Sequence, residues 1–369
     1  MKNINLDVHS WPMFRGNAQR TGVSRSKPIS RPSLLWVTEV GPTISSPVFD
    51  RGNLYVATVT GRIFSLNIFE MMTRWNANFG PLVSSPLITD SLLIGGTFNG
   101  WVKGQNNFGE NSIFAISRND GHTIWDVKIA GDFFSSPCIV NETIVIGSLD
   151  QKIYCVDLSG NILWDYKTDG EVWSSPSLDG EYIFVGSDDG NIYSLNIDGS
   201  LRWKTKLNGK IRSSSPCLSR EDRLLFCGTH EGGMYCLDSY TGSIKWSKEI
   251  PKPVLSSPTQ IQNKVIFATS NNTVYCLDSG DGKRVWEFET GDKVWSSPSL
   301  VENDKMLFFG CLDSHIYGVN VNLGKQEWKF PTMGMVDSSP CIADGHLFMA
   351  SRDGLLYVFG SSPLPSYIR

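Results

Sequence analysis

The chain of 369 residues has no apolar run approaching the roughly 18 residues that a membrane-spanning helix needs, so no membrane span is expected. Helix-length apolar periodicity is missing as well, which argues against a helical repeat. Charge of one sign is also scarce. The net charge is −4, with no basic block and no acidic tail, which excludes a general nucleic-acid-binding or membrane-surface role. The opening stretch MKNINLDVHSWPMF carries a lysine but no apolar core, so neither a secretory nor a lipoprotein signal is read there and a cytoplasmic location is expected. The eight cysteines include no adjacent pair and no CxxC, which removes redox and metal-ligand motifs from consideration. A glycine-rich phosphate loop, a nucleophile elbow and a zinc motif are missing too, so no metal is expected.

What the chain does have is repetition. Ser-Ser-Pro starts at Ser45, Ser84, Ser135, Ser174, Ser214, Ser256, Ser296 and Ser338, at successive intervals of 39, 51, 39, 40, 42, 40 and 42 residues. A period near 40 signals a repeat architecture. In the cleanest copy, Val172 to Trp203, four short strands are predicted over SSPSL, YIFVGS, NIYSLN and SLRWKTK, with a hairpin at Asp189-Gly190. Four-stranded units at this period are propeller blades, each covering its faces with its neighbours.

Three further columns keep register. An aromatic follows each hairpin (Phe64, Phe114, Tyr154, Tyr193, Tyr235, Tyr275, Tyr317, Tyr357), and a small residue usually comes next, as in Cys155, Cys236 and Cys276. Cys138, Cys217 and Cys341 directly follow Ser-Ser-Pro, so these six thiols read as buried fillers and suit a reducing compartment. A Trp stands on each fourth strand: Trp36, Trp75, Trp125, Trp164, Trp203, Trp246, Trp286 and Trp328. Trp36 precedes the first unit, and the last unit has no Trp. The strand Leu34–Val40 is therefore expected to complete the last blade, closing the ring and removing an open edge. The predicted fold is all-β: an eight-bladed propeller of four-stranded antiparallel blades with a three-plus-one closing blade. Residues 1–33 form a lead-in packed on it and residues 34–369 the propeller itself.

Two stretches break the repeat. The lead-in WPMFRGNAQRTG is either a packed segment anchored by Trp11 and Phe14 or a plug at one end of the central channel. In blade 2, Gly95 to Phe114 spans 19 residues where regular blades use 7, so a Gly/Asn-rich loop bearing Trp101, Lys103 and Phe108 is inserted between the second and third strands. Long loops on rigid scaffolds are where contacts are usually grafted. The hairpin acids Asp150, Asp189, Glu231, Asp313 and Asp353 suit turn chemistry.

Residues just before Ser-Ser-Pro are expected at the channel mouth: Ile44, Val83, Phe134, Trp173, Ser213, Leu255, Trp295 and Asp337. Trp173 and Trp295 are either packing residues or platforms for a flat or apolar group. Arg212 is a candidate for an anion, and Asp337 for a cation or a proton. His230 with Glu231, and His315, stand in or beside hairpins of the same face and are the weak candidates for acid–base chemistry.

These repeats resemble the pyrroloquinoline-quinone-like (PQQ-like) β-propeller proteins. The tryptophan-docking strands LDSYTGSIKW and LDSGDGKRVW carry the resemblance, and the lead-in is similar to the segment that opens many members. Within that family, quinoprotein dehydrogenases hold the quinone between a Trp and a disulfide of adjacent cysteines, near a calcium-type ion. The present chain has no adjacent cysteines, so no cofactor is expected and PQQ is the low-ranked alternative. BamB-like assembly factors are non-enzymatic, of similar size and lipid-anchored. The resemblance best fits a soluble relative or a stand-alone version of a propeller fused to larger enzymes. The expected function is a binding scaffold for a protein or peptide partner, using the top face with Phe134 and the blade 2 loop. The alternative is an enzyme or small-molecule binder using the central funnel.

Overall fold

The structure, a computed structural model, describes residues 10–29, 31–100 and 110–361. The described residues contain only strands and turns, arranged as eight four-stranded antiparallel blades, two of which gain a short fifth strand from the lead-in. Each sheet is built in sequence order from the channel outwards. Blade 4 runs Ser177–Leu178, Tyr182–Gly186, Asn191–Asn196 and Leu201–Lys206. The exception is the closing blade. There Ser33–Glu39 pairs with Leu355–Gly360, placing Trp36 opposite Val358, so the chain's own start supplies the outermost strand.

The middle two strands of each blade are almost wholly buried, because neighbouring blades cover both faces. The outermost strands alternate between half-buried and exposed positions. Trp164 shows how blades lock. Its indole N–H donates to Ile197 O of the next blade at 3.0 Å. Its ring lies over Gly199, where φ is +86° and an added Cβ would sit 2.7 Å from Trp164 Cδ2. A glycine is required there both by the backbone conformation and by the approach of the ring.

The innermost strand is shorter than the Ser-Ser-Pro motif suggests. Strand pairing begins only after Pro176, at Ser177. Proline brings no N–H to a ladder, and the two serines bond by side chain instead. Ser174 Oγ donates to Gly186 O at 2.8 Å, within its own blade. The second serine reaches sideways. Ser175 N donates to Ser215 Oγ at 2.9 Å, Ser215 N to Ser257 Oγ at 3.0 Å, and Ser257 N to Ser297 Oγ at 2.8 Å. The series continues through Ser339 to Ser46, Ser85 and Ser136 and returns to Ser175. Eight serines thus form a closed hydrogen-bonded ring around the channel.

The lead-in crosses beneath this ring and bonds to all eight blades. Trp11 pairs with Phe49 in blade 1, and Ile88 N of blade 2 donates to Pro12 O. Leu178 N and Leu218 N of blades 4 and 5 donate to Ala18 O and Gln19 O. Val23–Ser24 pairs in parallel with blade 7, and Gly345 N of blade 8 donates to Ser26 Oγ. Two buried arginines complete the set. Arg20 donates to Ser136 O and Pro137 O of blade 3, to Pro176 O of blade 4 and to Phe14 O. Arg15 donates to Pro258 O and Thr259 Oγ1 of blade 6 and to Pro298 O of blade 7. Burial pushes both guanidinium groups down, Arg15 to about 9, which leaves Arg15 charged at neutral pH. Carbonyl oxygens, rather than carboxylates, satisfy these buried charges.

Candidate functional site

The serine ring and the lead-in together make a blind funnel. Its cavity of about 290 Å³ has Phe14 and the ring serines among its lining residues, with the lead-in closing the end beneath the ring. Ile44, Val83, Phe134, Trp173, Ser213, Leu255, Trp295 and Asp337 all line it, one from each blade. Their convergence follows from the fold. Each residue precedes a Ser-Ser-Pro, and each Ser-Ser-Pro stands at the ring.

The mouth is not uniform. On the side of blades 2 to 4, Phe134 lies 5.2 Å from Trp173 and 6.2 Å from Phe98, ring centroid to centroid. Phe98 stands where the inserted loop departs. Trp101 and Lys103 lie outside the described residues. Across the mouth, Trp295 is 39% exposed and Met333, in the turn leading to the last blade, is 85% exposed.

Two Trp–Arg–Asp groupings frame the opening. The Arg212 guanidinium lies 4.9 Å from the Trp173 ring centroid and pairs with Asp188, while Trp173 Nε1 donates to Glu171 at 2.8 Å. Arg352 lies 5.8 Å from the Trp295 ring centroid and donates to Asp337 Oδ2 from Nε at 3.1 Å and from Nη2 at 2.5 Å. Arg212, the anion candidate, is therefore engaged by Asp188, and the exposed-side face of Trp173 is shared with a guanidinium. Asp337 is paired through one oxygen only. Burial raises its pKa, opposed by the Arg352 contacts.

The acid–base candidates are not brought to the funnel. Glu231 accepts from Lys210 N at 2.6 Å, His230 N donates to Lys210 O, and His315 Nδ1 lies 2.9 Å from Asp313 O. None of the three lines the cavity. The other hairpin acids have a partner that turn chemistry alone does not supply. Tyr154, Tyr193, Tyr317 and Tyr357 donate their hydroxyls to Asp150, Asp189, Asp313 and Asp353. Burial, then these carboxylates, raise the tyrosine pKa values.

Sequence reasoning missed Asp188 and Arg352. Both occupy the position just before the hairpin acid, which in other blades is Val59, Leu149, His230, Ser270 or Leu312. The isolated charges in that column were the available signal.

This is a tryptophan-docked, eight-bladed β-propeller of the PQQ-like, BamB-like kind, with one end of its channel sealed by its own lead-in. More particularly, the chain belongs to the family described as the β-propeller of β-alanine-activating enzyme, which residues 110–363 match. In sequence, no curated relative matches the chain. Solved structures match its fold across most of its length. BamB from Moraxella catarrhalis is 17% identical with a TM-score of 0.76, over 89% of this chain and 99% of that one. A europium-containing methanol dehydrogenase is 14% identical with a TM-score of 0.81, over 96% and 98%. Quinohemoprotein alcohol dehydrogenase from Comamonas testosteroni is 13% identical with a TM-score of 0.79, over 97% and 82%.

The dehydrogenase likeness raises the question of a quinone. Pyrroloquinoline quinone is a tricarboxylate, and the funnel's lining does not suit it. Arg352, the lining guanidinium, is already paired, Asp337 presents a like charge, and no cysteine is among the lining residues.

Proposed function

We propose that this propeller is a binding module that docks a protein or peptide segment on its funnel face, with the blade 2 loop, which departs after Phe98, contributing to the contact. The observation that carries the reading is the 39% exposure of Trp295 in the lining of a blind apolar cavity, with Met333, 85% exposed, in a turn beside the Asp353 hairpin on the same face. Large apolar side chains exposed around a concavity on a rigid scaffold are characteristic of interaction surfaces. The arginines and carboxylates at the mouth are engaged with one another, which favours binding over catalysis. The BamB-like architecture supports the same reading at the level of fold. All eight cysteines are free and buried, which supports a reducing, cytoplasmic setting.

Deleting Asn99 to Glu110, or replacing Trp295 by Ala, is expected to remove a specific co-purifying polypeptide while leaving the melting temperature nearly unchanged. An unchanged partner set in both variants would contradict the reading. The second reading is a small ligand held in the funnel. It is favoured by the cavity volume of about 290 Å³, close to the lower end of ligand sites. A bound small mass in native mass spectrometry would support it.

A further inference from the structure

Among the described residues, Asp337 is the one carboxylate lining the funnel, and its pairing is incomplete. Its side chain is only 8% exposed, yet Oδ1 is buried with no hydrogen-bond partner among the described residues. A buried carboxylate oxygen without a donor is costly, so the charge of Asp337 depends on whichever cation is held at Oδ2. Oδ2 is held by Arg352 alone, and that side chain is 41% exposed. An exposed guanidinium leaves such a pair at small cost, because water replaces the carboxylate around it.

The rest of the lining suits a cation with an apolar stem. Phe134, Trp173 and Trp295 present ring faces or edges to the cavity, and aromatic faces attract ammonium groups. The ring serines each accept one backbone N–H, which leaves a further lone pair on each hydroxyl oxygen. An anion would meet the like charge of Asp337 and two arginines already paired.

We propose that the funnel receives an alkylammonium group, presented as a lysine side chain by the docked polypeptide, which takes the place of Arg352 on Asp337. Arg352 is then a placeholder cation that keeps the carboxylate paired while the funnel is empty. This inference rests on the docking reading above for the source of the lysine, but the amine site itself is tested without any partner.

The test is isothermal titration of the full chain with n-butylammonium chloride, with sodium butyrate as the anionic counterpart. Wild-type protein is expected to bind the amine and not the acid. Arg352→Gln removes the competing cation and is expected to tighten amine binding about tenfold, whereas Asp337→Asn weakens it at least tenfold, shifts read directly as dissociation constants. The melting curve of Asp337→Asn is compared with wild type as a folding control, and the exposed Arg352→Gln gives an independent, opposite-signed readout. Equal binding of butyrate, weaker amine binding in Arg352→Gln, or unchanged affinity in a folded Asp337→Asn overturns the site. A lysine peptide is expected to bind tighter than the free amine and to lose that advantage when the lysine is acetylated. Equal affinity for peptide and free amine overturns the polypeptide as source. Loss of amine binding with funnel-face docking intact counts against this inference alone, and the reverse result counts against docking alone.

Discussion

The backbone N–H of Ser339 donates to Ser46 Oγ across 2.9 Å, joining the last blade to the first inside the channel. The same bond links every other neighbouring pair of blades, so the ring has no weak seam at its innermost layer. Replacing Ser46 by Ala leaves the Ser339 N–H buried and unpaired. That is expected to cost about 1–3 kcal/mol, by the desolvation cost of a buried orphan donor. Denaturant unfolding measures it, and a change near zero would mean that the ring does not contribute to closure.

Arg20 concentrates four carbonyl oxygens from the lead-in and blades 3 and 4 on one buried guanidinium. Arg20→Ala strands these acceptors and opens a cavity under the ring, and is expected to destabilise the fold by about 3 kcal/mol or more. Arg20→Lys keeps the charge but cannot reproduce the planar fork. It is expected to recover only part of the loss. Thermal melts of the two variants check the order.

Tyr357 donates to Asp353 at 2.8 Å, and burial, with that carboxylate, raises its pKa from 10.0 to about 12. A pKa raised on folding gives stability that is complete below the unfolded value and is lost as pH rises through the folded one. The stability difference between wild type and Tyr357→Phe is therefore expected to be constant below pH 10 and to shrink between pH 10 and 12. Urea unfolding across that range tests the sign, and a difference that grows with pH would contradict it.

The fold was legible because every structural column is present in many copies. Ser-Ser-Pro, the aromatic, the small residue and the Trp each mark a position in the blade, and Trp36 gave the closure. Single-copy features were not readable this way. Arg15 and Arg20 have no counterparts in the repeats, so only the folded chain shows that their guanidinium groups bind blade carbonyls. The mouth residues were placed by register, but Asp188 and Arg352 were absorbed into hairpins read as turn chemistry. The Tyr–Asp pairs lay in two columns considered separately. Blade 1 has Phe64 with Thr60 in place of the Tyr and the acid, a correlation that becomes meaningful once Tyr193 and Asp189 are seen in contact.

The measurement that most directly tests the binding account places a photo-crosslinking residue at Met333 on the funnel face, or at Tyr240 on the opposite face, where the exposed positions are comparable at 85% and 61%. The account predicts a discrete polypeptide adduct from position 333, abolished by Trp295→Ala, and none from position 240. Adducts from position 240 alone, or adducts at 333 indifferent to Trp295, would contradict a funnel-face docking site.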